Sequence, residues 1–363
     1  MTWKVGIGAL TCSALFALGS VRAQVTPAEG YTPPDDTPTI KIGTVIFTDY
    51  TYTDEPTTID AAGNQVKPKG FNVTRAYINV TGNISHLFSF RITPDITRET
   101  GAGSSLSGSL DYRLKYAYGQ FNMDQWLGKG AWLRLGDIPT PYLDFIDGVY
   151  RYRFQGPTVT DREGFLVSAD FGLAGHYNFP KNFGDVMFGV YNGEGYTRAE
   201  ANNQQAYQLR ATVRPLPLGG LFSGLRLTAF VDNDAPVDGG KRDRLVGALT
   251  FEHKYVNAAV EWLDAEDRLL PTATGIESNG YSVWVTPRTS FGLEGLLRFD
   301  SLEPDKTLDG KKERKLAGVA YWFPGQTTPI TAALMLDMEK VDYDDVLTRP
   351  DEKRYALHAL FQY

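Results

Sequence analysis

From residue 38 onward, apolar and polar side chains alternate in segments of about ten residues, broken by clusters of Gly, Pro, Asn and Asp. A period of two predicts strands with one apolar and one polar face. In Leu110-Asp-Tyr-Arg-Leu-Lys-Tyr-Ala-Tyr118 the even positions are apolar or aromatic, while Asp111, Arg113 and Lys115 are odd. Phe88-Ser-Phe-Arg-Ile92 repeats the pattern with Arg91 on the polar side. So do Tyr207, Leu209, Ala211 and Val213 against Gln208 and Arg210, and Leu225, Leu227 and Ala229 against Arg226. Strands are expected at 38–49, 71–81, 84–94, 109–121, 131–137, 164–177, 185–191, 204–214, 224–231, 243–252, 255–263, 278–285, 291–299, 312–323, 330–341 and 354–363.

Two architectures give this alternation: a soluble sandwich or barrel with its apolar face inward, and a membrane barrel with it outward. Sixteen strands is an even number, as in bacterial single-chain outer-membrane barrels. The connections alternate too. Those at 50–70, 95–108 and 138–163 are long, those at 82–83, 122–130 and 178–184 shorter. His253-Lys254 is a tight link, and 264–277, 300–311 and 342–353 are looser. At the C-terminus, Tyr355, Leu357, Ala359, Phe361 and Tyr363 form an alternating apolar set ending in an aromatic residue, as expected of a last strand that serves as an assembly signal. The fold class expected is all-β: a transmembrane antiparallel β-barrel of about 16 strands with short periplasmic turns and long extracellular loops.

The first 23 residues break the alternation. Lys4, an apolar stretch from Val5 to Leu18 and Val21-Arg22-Ala23 before Gln24 read as a secretory signal. A short Pro-rich segment, 24–37, precedes the barrel domain, 38–363, which carries an inward-folded loop at about 138–163. Nothing after residue 23 approaches the 18 or so consecutive apolar residues of a helical span. The single cysteine, Cys12, lies in the leader, so the remaining chain has no disulfide, thiolate nucleophile or cysteine metal site. The formal charge of −7 becomes −9 when Lys4 and Arg22 leave with the leader, which argues against nucleic-acid binding.

Three segments then suggest a family. Phe71-Asn-Val-Thr-Arg-Ala-Tyr-Ile-Asn-Val-Thr-Gly-Asn-Ile-Ser-His-Leu-Phe-Ser-Phe-Arg-Ile92 resembles the early hairpin of the phosphate-selective porin O and P family. Trp132-Leu-Arg-Leu-Gly-Asp-Ile-Pro-Thr-Pro-Tyr142 is similar to the strand and Gly-x-x-x-x-Pro entry of that family's third loop, and Val190-Tyr-Asn-Gly-Glu-Gly195 to its Asn-Gly-x-Gly strand end. The resemblance covers most of 40–363. It implies a homotrimer of water-filled barrels in the outer membrane of a Gram-negative bacterium, in contact with lipid and lipopolysaccharide, passing phosphate or other small anions without a cofactor.

With apolar faces toward lipid, the lumen receives Lys41, Arg75, Arg91, Arg113, Lys115, Arg134, Arg210, Arg214, Arg226, Arg244 and Arg298. Inward acids are Asp111, Asp170, Asp185, Glu252, Glu261, Glu294, Asp337 and Glu339, most of them late in the chain. Arg75, Arg91, Arg113, Lys115, Arg134, Arg210 and Arg226 are therefore expected to form a basic wall that attracts anions, because a narrow low-dielectric tube focuses the field. The bland alternative is that these residues keep the lumen wet and pair with nearby acids.

The third long loop carries Asp144, Asp147, Arg151 and Arg153 but no lysine before Asp161. Lysines on this loop are what the resemblance links to phosphate, so a pore for small hydrophilic solutes with a modest anion preference is expected instead. Tyr112, Tyr116, Tyr118, Trp262 and Trp322 fit an aromatic girdle or lipid face. His86, His176, His253 and His358 are scattered, without chelating spacing. Ser85-His86 and Ser282 stand on strands too far apart for a Ser–His hydrolase, so no enzyme is expected. The acidic loops, Asp232, Asp234 and Asp238 among them, suit divalent cations but read more simply as solvated charge. The rival classes are an outer-membrane barrel enzyme, a closed barrel acting through its loops as an adhesin, and a soluble secreted all-β protein.

Overall fold

The computed structural model of the chain describes residues 35–101, 103–323 and 331–363, so the expected leader and most of the Pro-rich segment lie outside the described residues. Among those described, sixteen strands form the barrel: β1 (Thr39–Glu55), β2 (Lys69–Asn83), β3 (Phe88–Arg98), β4 (Leu110–Asn122), β5 (Trp132–Pro139), β6 (Ala169–Phe179), β7 (Gly184–Tyr191) and β8 (Ala206–Val213). β9 (Leu225–Asp234), β10 (Lys241–His253), β11 (Val256–Arg268), β12 (Ile276–Pro287), β13 (Leu293–Glu303), β14 (Lys312–Trp322), β15 (Thr331–Tyr343) and β16 (Glu352–Gln362) complete it. Each strand pairs antiparallel with the next, and β16 pairs with β1, so the sheet has no edge. Thr44 and Tyr363 exchange backbone hydrogen bonds at 2.8 and 2.9 Å where the ends meet. Every expected strand overlaps one of these sixteen.

The register lines up apolar side chains around the outside. Leu227 stands opposite Leu249, Leu249 opposite Val260, Val260 opposite Val283 and Val283 opposite Phe299. Val319, Leu336 and Leu357 make a similar row. Most of these side chains are exposed. A belt of this extent in water would far exceed the patches that soluble proteins tolerate, whereas a bilayer requires it. Trp262 and Tyr112 belong to this outer face, as do Tyr355, Leu357, Phe361 and Tyr363 of the closing strand. Among the described residues no helix is long and apolar enough to cross a membrane; the crossing is made by strands.

Several boundaries differ from expectation; β1 runs on to Glu55, β3 to Arg98 and β11 to Arg268. β6 begins at Ala169, so 164–168 belongs to the third loop, where the backbone N–H groups of Phe165 and Leu166 donate to the Thr160 carbonyl. The β2–β3 connection is the four residues 84–87, not 82–83. The rhythm of long and short connections is clear in the first half and fades in the second, where loop 235–240 is shorter than turn 214–224 on the opposite rim.

A larger departure comes from a bulge. Thr93 pairs with Tyr116 but Pro94 with Leu114, leaving Lys115 as an extra residue in β4. Proline has no N–H to give to the ladder, and a bulge is one of the few places where a strand interior accepts it. Past the bulge the facing reverses. Tyr116 and Tyr118 therefore point into the lumen, under the guanidinium groups of Arg91 and Arg134, and are not part of a lipid-facing girdle. Trp322 is likewise inside, donating its Nε1–H to the Tyr152 hydroxyl at 3.1 Å.

The expected split into an apolar outer and a charged inner face also fails along the middle of the later strands. Phe230, Val246, Leu263, Trp284, Leu296, Leu316 and Met335 are buried on the inner wall. They are apolar because the third loop covers them.

Candidate functional site

The third loop, residues 140–168, folds into the barrel. Pro141 opens helix α1 (Pro141–Tyr150) at a position where its missing N–H is no loss. Tyr142, Leu143, Ile146, Val149 and Tyr150 recur at helical spacing and are buried against the inner wall. Asp144, Asp147 and Gly148 occupy the opposite face. The helix ends where Arg151 takes a left-handed conformation, φ 63°, placing its guanidinium 4.5 Å over Trp322 and 3.6 Å from Glu294. A short second helix, α2 (Val159–Arg162), completes the loop.

Tyrosines and arginines fasten this loop to the later strands. Tyr142 donates to Glu261 at 2.7 Å, and Trp284 donates to the other oxygen of the same carboxylate at 3.1 Å. Tyr152 donates to Glu294 at 2.9 Å, and Asn257 donates to the Val149 carbonyl at 2.9 Å. Burial and the neighbouring Glu261 carboxylate push the Tyr142 hydroxyl well above the usual tyrosine range, so it stays a donor. At the end of the loop Glu339 receives Arg162 at 2.8 Å, Arg354 at 2.9 Å and Arg314. Removing one partner from such a buried cluster costs far more than the pair itself contributes.

This arrangement sorts the basic residues into two groups. Arg210 pairs with Asp185, Arg226 with Glu252, Arg244 with Asp267 at 2.8 Å and Arg298 with Asp300 at 2.7 Å. Arg75, on the early wall, is also neutralised, by Asp95 at 2.7 Å. Arg75, Arg210 and Arg226 thus lie inside but bring no uncompensated charge, which narrows the basic wall expected from their spacing. The remaining four do not touch carboxylates. Arg91 donates to Thr93 and Asn79 at 2.9 Å, and Arg113 to the Tyr196 hydroxyl at 3.0 Å. Lys115 donates to the Tyr77 hydroxyl at 3.2 Å, and Arg134 to Gln120 at 2.8 Å. Aromatic rings flank all four: Arg113 lies 4.9 Å over Tyr196, Lys115 5.0 Å over Tyr77 and Arg134 3.8 Å over Trp132.

The loop opposite is less acidic than its sequence suggests. Arg153 bridges Asp147, at 3.3 Å, and Asp161. Burial, with Asp161 nearby, pushes Asp147 up to about 6 against the pull of Arg153 and Lys115. Asp144 is exposed on the same helix face; its backbone N–H donates to the Thr140 carbonyl at 3.2 Å, while its carboxylate has no partner among the described residues.

Chains already solved place this geometry. By sequence, no family model and no curated protein matches the chain. By structure, the anion-selective porin from Comamonas acidovorans aligns over 90% of this chain and 100% of its own, with a TM-score of 0.59 at 12% identity. The outer-membrane expressed OmpT of Vibrio cholerae aligns over 91% and 99%, TM-score 0.60, 12% identity. The outer membrane channel DcaP of Acinetobacter baumannii aligns over 92% and 100%, TM-score 0.55, 13% identity. The fold is that of Gram-negative outer-membrane porins. At these identities the likeness concerns the barrel and not its cargo.

Several residues that shape the lumen escape a reading by alternation. Asp95, Tyr77 and Tyr196 neutralise or flank the early cations, and Arg162, Arg314 and Arg354 gather on Glu339. The signal for Tyr116 and Tyr118 was Pro94 in mid-strand. For the covered wall it was the loss of alternation in Leu245-Val-Gly-Ala-Leu249 and Leu316-Ala-Gly-Val-Ala-Tyr321.

Proposed function

We propose that this barrel is a water-filled channel for passive diffusion of small hydrophilic solutes across the outer membrane, with a modest preference for anions. One observation carries the reading: Arg91, Arg113 and Arg134 face the lumen from adjacent strands without carboxylate partners, with Lys115 buried beside them, while the third loop occupies the opposite wall. Positive charge in a confined aqueous path raises the local concentration of anions and loses reach as salt is added. Phosphate remains within this class of cargo through the resemblance to the phosphate-selective porin O and P family, although no lysine stands on the loop before Asp161. The lipid-facing belt suits contact with lipid and lipopolysaccharide, and the same resemblance supports a homotrimer.

Planar-bilayer recording tests the reading. Stepwise conductance is expected, and trimming the lumen-facing turn around Asp144 should raise it while the barrel still assembles. An assembled barrel without conductance steps would favour a closed barrel acting through its loops. The outward row Tyr355, Leu357, Phe361 and Tyr363 is proposed as the assembly signal. Replacing Phe361 and Tyr363 by serine should leave export intact and deplete folded barrel from the outer membrane, and undiminished yield would remove that role.

A further inference from the structure

Three lysines share one row of the outer face near the extracellular rim. Lys315 on β14 stands directly opposite Lys340 on β15, and Lys340 directly opposite Lys353 on β16. Like charges facing each other across a ladder are destabilising, so folding stability does not account for two such pairs in succession. Nearby carboxylates compensate in part. Asp342 serves Lys315, at 3.1 Å, and Lys340, while Asp54 serves Lys353, at 3.0 Å, and Lys67 of the first loop. Glu313 adds a contact to Lys315 at 3.2 Å. The three lysine side chains stay between 31% and 52% exposed. Exposed pairs of this kind contribute so little that an incoming anion can replace them.

One row further into the membrane, about 7 Å along each strand, the lysines give way to Ala317, Met338 and Tyr355, with Leu297 and Tyr52 beside them. Here the apolar belt opens into a groove of about 650 Å³. Ala317 makes the gap, because only a methyl group stands between Leu297 and Met338, and Val319 and Leu336 continue the floor toward the bilayer centre. Tyr52 and Tyr355, with ring centroids 6.4 Å apart, form one side at the level where amphipathic rings meet headgroups, and the Lys353 ammonium lies 5.6 Å from the Tyr355 ring. Ammonium groups, then phenol rings, then an apolar slot follow the order of phosphate, sugar and acyl chain in a phosphorylated outer-leaflet lipid. Across β10–β12 the same rim has the opposite sign: Asp243 faces Glu266, and Glu266 faces Glu277. An anionic headgroup is therefore directed to β14–β16.

We propose that β14–β16 and β1 form a defined binding site for lipopolysaccharide, with a lipid A phosphate on Lys315, Lys340 and Lys353 and one acyl chain in the groove over Ala317. The site rests on the reading that the belt faces outer-leaflet lipid, and it is independent of conduction.

Native mass spectrometry on the full barrel folded in detergent tests this, with bisphosphorylated hexa-acylated lipid A and its dephosphorylated form as probes. Saturable lipid A binding is expected, with the dephosphorylated form weaker. The triple variant Lys315→Gln, Lys340→Gln, Lys353→Gln should weaken lipid A about tenfold, given a severalfold gain for each lysine near an anionic headgroup. Ala317→Phe, which fills the groove from a lipid-facing position and leaves the lysines in place, should weaken both forms. Lys241→Gln with Lys306→Gln, a comparable loss of charge on the same rim, should weaken neither. Lipid A affinity unchanged in the triple variant or in Ala317→Phe would overturn the site, as would an equal loss in the control or dephosphorylated lipid A bound as tightly. So would a disulfide-linked dimer of Ala317→Cys in membranes, which would put a second copy of this chain over the groove. A barrel that conducts but ignores lipid A loses the site and keeps the channel reading; one that binds lipid A at these lysines without conductance does the reverse.

Discussion

In the β9–β16 sector Arg226, Arg242, Arg244, Arg298, Arg314 and Arg354 each touch a carboxylate, whereas in the β2–β5 sector only Arg75 does among the described residues, and Arg91, Arg113, Lys115 and Arg134 touch rings, hydroxyls and amides. The difference follows from the third loop. It covers the later wall and withdraws Arg226, Arg244, Arg298 and Arg314 from water, and a buried cation needs a paired charge. Arg91, Arg113 and Arg134 of the early wall are partly exposed to the lumen, where water solvates a cation that lacks a counter-charge, while Lys115 is buried beside them among the rings of Tyr77, Tyr116 and Tyr196. On the proposed channel reading, selectivity would be set by which wall the loop leaves bare, more than by how many arginines point inward.

The covered sector should be the more brittle. Glu339→Ala leaves Arg162, Arg314 and Arg354 without their shared partner and should lower unfolding stability by about 3 kcal/mol. Urea unfolding in detergent reads this, and a loss near zero would show that the cluster is too wet to matter. Tyr152→Phe, which removes the bond to Glu294 and strands the Trp322 N–H, should cost about 2 kcal/mol in the same assay. Tyr196→Phe on the bare wall should cost less, since both it and Arg113 are partly exposed and water can replace their bond. Equal losses in the two variants would erase the contrast.

A titration sharpens the comparison from the loop side. Asp147 is pushed up to about 6, so it is charged above that pH and neutral below it. Its charge offsets Lys115 and Arg153, hence the preference for anions should rise as pH falls through about 6. Because the folded protein binds this proton more tightly than the unfolded chain, the same titration should reduce stability as pH rises across the interval from about 4 to 6. Asp147→Asn should abolish the pH dependence of reversal potential, and a dependence that persists would place the titrating group elsewhere.

How much of this was legible in the sequence depends on the range of the interaction. Strand number, inward placement of the cations and burial of the third loop follow from local period and from the apolar content of Ile138 to Phe154. The facing of Tyr116 and Tyr118 did not, because one extra residue at Lys115 reverses everything beyond it. Nor did the pairing of Arg210 with Asp185 or of Arg226 with Glu252, since register between strands is a property of the closed sheet. The reach of Arg162 to Glu339 depends on a loop crossing the lumen, which no local pattern records.

The central claim is that the bare early wall sets ion preference, and reversal potential across a salt gradient tests it most directly. Arg91→Gln with Arg113→Gln should move the potential toward cations. Arg226→Gln with Glu252→Gln, which removes a paired charge from the covered wall without changing net charge, should leave it in place. A potential that moves with the second pair and ignores the first would contradict the account.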